Sequence, residues 1–201
     1  GSESVEFGQH ISYWFYHSPR RALHYLSYYK FAAKMIGMNK EILDIGCSEG
    51  LGTWLLAKEC GKATGLDFDK NAIIQAKRNW KFENITFLCK DFLEYKTQNQ
   101  FDAIVNFDVI EHISDHNIQH FFSKVCEFLK PYGVCIIGTP SLASQQYASE
   151  VSKKGHINVY DSDRLRLELS RYFEHIFLFS ANDELIHTGF DRLAHYYIAL
   201  C

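Results

Sequence analysis

The chain has 201 residues, 47% of them hydrophobic and 22% charged, with a formal net charge of −3. That length predicts a single domain, residues 1–201, which buries about 70% of its unfolded surface. The acidic balance and a single short basic run, Arg20-Arg21, argue against long nucleic acid as a substrate.

No apolar run is long enough to cross a bilayer, and the opening residues lack the basic start and apolar segment of a signal peptide. We therefore expect no membrane association and no secretion. The six cysteines form no C-x-x-C pair and mostly lie in apolar patterns, so we expect core thiols and a cytoplasmic location. The oligomeric state stays open.

Apolar strand patterns alternate with helical patterns, which predicts a parallel sheet covered by helices on both faces. Residues 1–38 are expected to form an N-terminal helical cap, with a helix over 20–36. The strands and helices that follow are predicted at 41–46 and 52–60, 63–67 and 70–80, 85–90 with a short helix after it, 101–107 and 115–129, and 133–138.

The polar stretch 141–161 is predicted to be a long substrate-side loop, because loops of that length in compact domains are usually functional or mobile. Asp161 is expected to cap a helix over 162–172. No helical pattern separates strands 176–179 and 193–199, so these two should pair antiparallel. His195 is interpreted as strand packing, and His187 as a turn residue or a substrate contact.

The segment 41–52, EILDIGCSEGLG, leads from an apolar strand through a glycine-rich turn into a helix. Glycines there allow close backbone approach to a ligand facing the helix N-terminus. Its spacing fits neither the dinucleotide fingerprint nor a phosphate loop, which disfavours an NAD-dependent dehydrogenase. The G-x-x-x-G-x-G spacing resembles the first motif of the class I S-adenosylmethionine (SAM) methyltransferases. Further matching signals are Asp67, Asp91-Phe92 and the strand 101–107.

This resemblance implies a Rossmann-like, doubly wound, seven-stranded and mostly parallel α/β sheet with an antiparallel C-terminal strand. It also implies SAM as cofactor. Taken singly, Asp67 could start a turn, Asp69 could cap a helix and Asp91 could be a solvated strand end. By resemblance, the methionyl end meets Gly46, Cys47, Gly50 and Gly52, the ribose meets Asp67 beside Phe68, the adenine meets Asp91 and Phe92, and the sulfonium lies near Asn106 and Phe107.

Asp108, Glu111 and His112 have the i, i+3, i+4 spacing that places side chains on one side of a helical turn. The stretch resembles the E-x-x-E-H element of metal-dependent ubiquinone-pathway O-methyltransferases and small-RNA terminal 2′-O-methyltransferases, with Asp108 replacing the first Glu. His156 in the polar loop is the fourth predicted ligand, and carboxylate ligands with open positions favour Mg or Mn. Alternatively, Glu111 and His112 orient substrate without metal, and His112 or His156 acts as general base.

The resemblance implies methyl transfer to a small-molecule acceptor, with oxygen as the favoured atom. Residues 147–160 and 182–190 resemble methyltransferases of bacterial surface-polysaccharide pathways, some of which modify capsule sugars or their phosphoramidates. This favours a hydroxylated or phosphorylated acceptor. The alternatives are an RNA 3′-terminal ribose 2′-O-methyltransferase and a SAM-binding protein without catalysis.

Overall fold

The computed structural model describes residues 4–201, so the first three residues of the predicted cap lie outside the described range. The described helices are α1 (Gln9–His17), α2 (Pro19–Ile36), α3 (Leu51–Cys60), α4 (Lys70–Asn79), α5 (Asp115–Phe128), α6 (Glu150–Gly155) and α7 (Ser162–Leu169). The described strands are β1 (Lys40–Ile45), β2 (Gly61–Asp67), β3 (Ile85–Cys89), β4 (Phe101–Phe107), β5 (Leu129–Pro140), β6 (Phe177–Ala181), β7 (Ile186–His187) and β8 (Tyr196–Leu200). No helix within residues 4–201 has both the length and the hydropathy needed to span a bilayer.

All these strands lie in one sheet, in the order β3-β2-β1-β4-β5-β8-β6-β7. The strands from β3 to β5 in that order are parallel. β8 lies between β5 and β6 and is antiparallel to both. The structure thus confirms the Rossmann-like α/β fold with a reversed C-terminal strand.

Both faces of the sheet are apolar, which is why helices cover each of them. In β4, Ile104 packs with α5 and α7 on one face, whereas the next residue, Val105, packs with α2 and α3 on the other. Of the six free cysteines, Cys47, Cys60 and Cys135 are buried, as expected for core thiols, whereas Cys89 is exposed.

The sheet has eight strands, not the predicted seven. After β6 the chain turns back, and Ile186 and His187 pair antiparallel with Ala181 and Ser180. A two-residue strand is too short to show an alternating pattern in the sequence. The additional strand extends the edge of the sheet beyond β6.

Several predicted boundaries differ from the structure, including those after β3, at the start of β5 and at the end of α7. The short helix expected after β3 is absent: residues 92–94 form a turn, in which the Asp91 carboxylate accepts the Leu93 N–H. β5 begins at Leu129, because residues 129–133 form a bulge opposite Phe101–Ala103 and not a separate turn. Asp161 caps α7 as predicted, but the helix ends at Leu169.

The predicted loop 141–161 contains a 3₁₀ turn, Leu142–Tyr147, and the helix α6. The side chains of Ser141 and Ser149 cap these two elements by accepting the N–H groups of Ser144 and Ser152. Ser141 pairs with Tyr160, which joins the two ends of the segment at its base. The two ends of the segment are therefore joined, whereas α6, between them, contains no buried residue.

Candidate active site

The carboxyl ends of the parallel strands border a cavity of about 820 Å³, the first cavity. Open α/β sheets bind ligands at this edge, where the strand order reverses between β1 and β4. Of the predicted cofactor residues, those that line the cavity are Gly46, Asp67, Phe68, Asp91, Phe92 and Phe107. Cys47, Gly50, Gly52 and Asn106 do not line it.

The glycine loop turns at Gly46, which has a φ of 76° and donates its N–H to the Leu66 carbonyl at 2.8 Å. A β-carbon at Gly46 would lie 2.5 Å from the Val109 side chain. Gly50 and Gly52 serve the packing of α3: β-carbons there would meet the rings of Phe87 and Tyr29. The spacing of these two glycines therefore reflects close packing beneath the loop.

Cys47 lies beneath the loop, with no exposed surface, in a cluster with Leu51, Ile73 and Phe87. Burial raises the pKa of its thiol well above the ordinary value. The protonated thiol is therefore a packing group, and the Cys47 backbone, whose N–H donates to the Leu66 carbonyl, is the part of this residue that shapes the loop.

The Asp67 carboxylate is held at the end of β2 by two backbone donors. One oxygen accepts the Ser48 N–H and the other accepts the Asp69 N–H, each at 2.8 Å. Carboxylate oxygens have about four acceptor positions between them, so two remain for ligand hydroxyls. Asp69, in contrast, caps α4 by accepting the N–H groups of Asn71 and Ala72.

The aromatic residues predicted near the ribose and the adenine, Phe68 and Phe92, differ in their exposure to solvent. Phe68 is 80% exposed at the cavity wall, whereas Phe92 is buried and packs edge-on against Phe121, with ring centroids 5.0 Å apart. One oxygen of Asp91 accepts the Leu93 N–H at 2.8 Å. The exposed Phe68 ring thus offers a flat apolar surface in the cavity that Asp91 also lines.

At the end of β4, Phe107 lines the first cavity and packs edge-on against Tyr29. Asn106 is fully buried on the opposite face of the strand, and its side-chain amide has no hydrogen-bond partner within residues 4–201. Asn106 therefore does not reach the cavity wall in this structure, while its neighbour does.

Sequence reasoning missed Glu49, although an acid inside the glycine loop was an available signal. Its side chain is 2% exposed and accepts the N–H groups of Gly8 and His10 at 2.8 Å each and that of Ile11 at 3.4 Å. A carboxylate at a helix N-terminus is favourable because it satisfies amides that have no partner inside the helix. Glu49 thereby holds α1, which brings His10 and Trp14 to the first cavity.

Three of the four predicted metal ligands lie close together. Glu111 and His112 lie on a 3₁₀ turn after β4, His156 follows α6, and their ligand atoms are all within 4.8 Å of one another. The Asn158 N–H donates to the Glu111 carbonyl at 3.0 Å, which ties the 141–160 segment to this turn. Asp108 lies outside the group, at a φ of 57°.

The hydrogen bonds of the two histidines define their tautomers. His112 Nδ1 lies 2.9 Å from the Gly155 carbonyl, and His156 Nδ1 lies 2.8 Å from Gln145 Oε1. Carbonyl oxygens only accept, so each Nδ1 carries the hydrogen and each Nε2 keeps a free lone pair. Metal-binding histidines usually make such an Nδ1–H contact. A histidine acting as general base uses the same tautomer.

Glu111 is fully buried, and burial followed by the nearby charge of Asp108 raises the pKa of its carboxyl well above the ordinary value. Oε2 accepts the Thr139 hydroxyl at 3.1 Å, while Oε1 has no partner within residues 4–201. A buried oxygen without a donor beside two imidazole lone pairs fits a divalent cation, which would offset the cost of the buried charge.

A second cavity, of about 720 Å³, lies between the start of α2, the 141–156 segment and the turn after β6. Arg21, Tyr25 and Asp108 line both cavities. His112 lines the first and His156 the second, so the Glu111–His112–His156 group lies between them. A ligand in one cavity can therefore approach a ligand in the other beside Asp108.

The two C-terminal histidines have distinct positions. His195 is not a packed strand residue as predicted: it precedes β8, is exposed, and lines the second cavity. The backbone N–H of His195 donates to Asn182 Oδ1 at 2.9 Å. His187 lines neither cavity, and its Nδ1 accepts the Gly189 N–H at 2.9 Å. Only His195 of this pair is placed to contact a ligand.

The fold and the site define the architecture of the class I SAM-dependent methyltransferases. Residues 42–133 match the family model described as "Methyltransferase domain", just under half of the chain. This match and the relatives below show that the chain is homologous to SAM-dependent methyltransferases, which confirms the resemblance inferred from the glycine loop.

Two curated relatives illustrate this homology. A "Probable S-adenosylmethionine-dependent methyltransferase" of Mycolicibacterium smegmatis is 30% identical over 131 residues, which cover 65% of this chain and 46% of the relative. A ubiquinone biosynthesis O-methyltransferase of Rickettsia akari is 32% identical over 110 residues, covering 54% of this chain and 43% of the relative. The chain thus spans less than half the length of each.

Among solved structures, the N-methyltransferase NodS of Bradyrhizobium japonicum, in complex with S-adenosyl-L-homocysteine (SAH), superposes with a TM-score of 0.66 at 21% identity. The match covers 90% of this chain and 85% of NodS. At this identity the similarity concerns the fold alone.

Proposed function

We propose that the chain transfers the methyl group of SAM to an oxygen atom of a small hydroxylated or phosphorylated acceptor, such as a surface-polysaccharide precursor or its phosphoramidate. The observation that carries this proposal is the meeting of two cavities at Asp108, with the Glu111–His112–His156 group between them. The first cavity holds the cofactor and the second the acceptor. Similarity to ubiquinone O-methyltransferases supports oxygen as the methylated atom.

The cofactor assignment follows from the side chains around the first cavity. Asp67 binds the ribose hydroxyls, since Ser48 and Asp69 already orient its carboxylate. Phe68 and Asp91 contact the adenine, and the methionyl end lies over the backbone of Gly46. Trp14 and His10 of α1 then cover the cofactor from the solvent side.

Glu111, His112 and His156 would hold a divalent ion, Mg or Mn, with Asp108 as a further carboxylate at the border of both cavities. When bound, such an ion would lower the pKa of an acceptor hydroxyl and orient its oxygen. Without the ion, the free Nε2 of His112 or His156 is the general base that takes the proton from the hydroxyl of the methyl acceptor. In both cases the Gly155 and Gln145 oxygens keep the imidazoles in the useful tautomer.

Cofactor binding and methyl transfer can be tested separately. In the first, SAH binding is measured by calorimetry for the wild type, Asp67→Ala and the control Asp163→Ala, an exposed carboxylate on α7. Loss of a two-point charged contact should weaken binding by about 2 to 3 kcal/mol in Asp67→Ala only. Equal affinities for all three proteins would contradict the ribose assignment.

In the second test, SAH release is measured from SAM with phosphorylated sugars, unphosphorylated sugars and RNA carrying a free 3′ end. Turnover with a sugar is expected. Turnover with the RNA alone would favour the 3′-terminal 2′-O-methyltransferase alternative. SAM binding without turnover on any acceptor would favour a SAM-binding protein without catalysis.

A further inference from the structure

The second cavity has an unbalanced set of charges. Arg20, Arg21 and His24 of α2 line one wall, with His195 nearby, whereas Asp108 is the single acidic residue among the lining residues. Among residues 4–201, neither arginine forms a salt bridge with a carboxylate, in contrast to Arg164, which pairs with Asp115 at 2.8 Å. The Arg21 guanidinium lies over the Trp14 ring, 5.1 Å from its centroid, so this wall carries positive charge that no salt bridge within the described residues pairs.

The backbone adds to this charge. Ser18, Arg20 and Arg21 belong to the start of α2, an 18-residue helix whose first turn contains no acidic residue. The N-terminus of a helix carries about half a positive charge, which favours anions. The guanidinium groups and the helix end thus act on the same side of the cavity.

Tyr196 of β8 also lines the second cavity and is 7% exposed. Its ring stacks on Tyr28 of α2, with centroids 4.5 Å apart, which packs α2 against the sheet. This packing fixes the helix that carries Arg20 and Arg21.

We propose that the acceptor carries a phosphoryl group, which Arg20 and Arg21 bind at the start of α2. This inference rests on the proposed function, since it names the acceptor of the same site. A phosphate monoester has a charge of about −1.5 to −2 near neutral pH, which matches two guanidiniums, whereas a carboxylate neutralises one. The rest of the acceptor then extends toward Asp108, where the cavities meet.

The test measures binding of inorganic phosphate to the SAH-saturated protein by calorimetry, with acetate as the carboxylate probe. Arg20 is the residue to change, because it lines only the second cavity, whereas Arg21 lines both. Arg166→Gln is the matched control, an exposed arginine on α7 that lines neither cavity. Arg20 is itself exposed, so Arg20→Gln should fold normally.

We expect saturable phosphate binding that Arg20→Gln weakens about tenfold or more and Arg166→Gln leaves unchanged, with acetate binding weaker than phosphate by a similar factor. Equal phosphate affinity in Arg20→Gln and wild type would overturn the proposal, as would tighter binding of acetate. SAH affinity, measured in the same samples, reports on the proposed function separately. A wild-type protein that binds SAH but not phosphate would locate the failure in the acceptor assignment alone.

Discussion

The carboxylate of Glu49 accepts the backbone N–H of Gly8 at 2.8 Å, so a residue of the glycine loop holds the start of the helix that covers the same cavity. A β-carbon at Gly8 would lie 2.8 Å from the Glu49 carboxyl carbon, which explains the glycine at that position. The loop that contributes Gly46 and Ser48 to the first cavity therefore also positions the helix that contributes His10 and Trp14 to it.

Replacing Glu49 by Ala should release α1 from the loop and weaken SAH binding. The substitution leaves the N–H groups of Gly8 and His10 without their acceptor, and bonds to a charged group contribute about 1.5 to 3 kcal/mol each. Calorimetry gives the affinity, and proteolysis within α1 gives its detachment. Glu59→Ala on α3, an exposed glutamate, is the control and should change neither. Unaltered SAH affinity in Glu49→Ala would show that α1 does not cover the cofactor.

If the proposed metal site is correct, removal of divalent metal should abolish turnover while SAH affinity stays nearly the same, because only His112 of the Glu111–His112–His156 group lines the first cavity. Mn or Mg should restore activity. Binding of Mn to the protein, followed by electron paramagnetic resonance, gives a readout that needs no acceptor.

His112→Ala and His156→Ala should each reduce Mn affinity about tenfold or more. His175→Ala is the control, an exposed histidine that lines neither cavity. Full activity in excess chelator would refute the metal assignment and leave His112 or His156 as general base.

The 141–160 segment should close when both ligands are present. Lys153 and Lys154 of α6 are exposed, and the segment contacts the 3₁₀ turn Ile110–His112 through His112–Gly155 and Asn158–Glu111 hydrogen bonds. Trypsin should cut at these lysines in the free protein and more slowly with SAH and acceptor bound. The double variant Lys153→Gln/Lys154→Gln should lose this cleavage, which shows that trypsin cuts at these two lysines. Identical rates with and without ligands would exclude a lid.

Stability should depend on pH through Asp44. Burial raises the pKa of this carboxyl to about 7, although Thr53 and Tyr29 donate hydrogen bonds to it. From 3.8 to about 7 the folded state holds a proton that the unfolded state has released, so the free energy of unfolding falls as pH rises through this window.

Asp44→Asn should flatten that dependence, because an amide does not titrate. Urea unfolding at about pH 5 and about pH 8 measures it, with Asp163→Asn as an exposed control. The wild type and the control should lose stability between the two conditions, and Asp44→Asn should lose less. An equal loss in all three proteins would assign the pH dependence to other groups.

The sequence by itself determined the strand, turn and helix of residues 40–60 and the acid at the end of β2. These features are local: a glycine at φ 76° and an apolar strand are dictated by nearby sterics and by burial. The reversed β8 followed from the absence of a helical pattern before it. The two-residue β7 escaped prediction, because so short a strand has no periodic pattern in the sequence.

Only the tertiary structure decided which distant groups meet. His112 and His156 come together because Gly155 of α6 bonds the first imidazole and Gln145 bonds the second. Glu49 reaches Gly8, and Arg20 and His195 line the same cavity, through packing of α1 and α2 on the sheet. Such contacts depend on how whole elements dock, and no local pattern of residues specifies that docking.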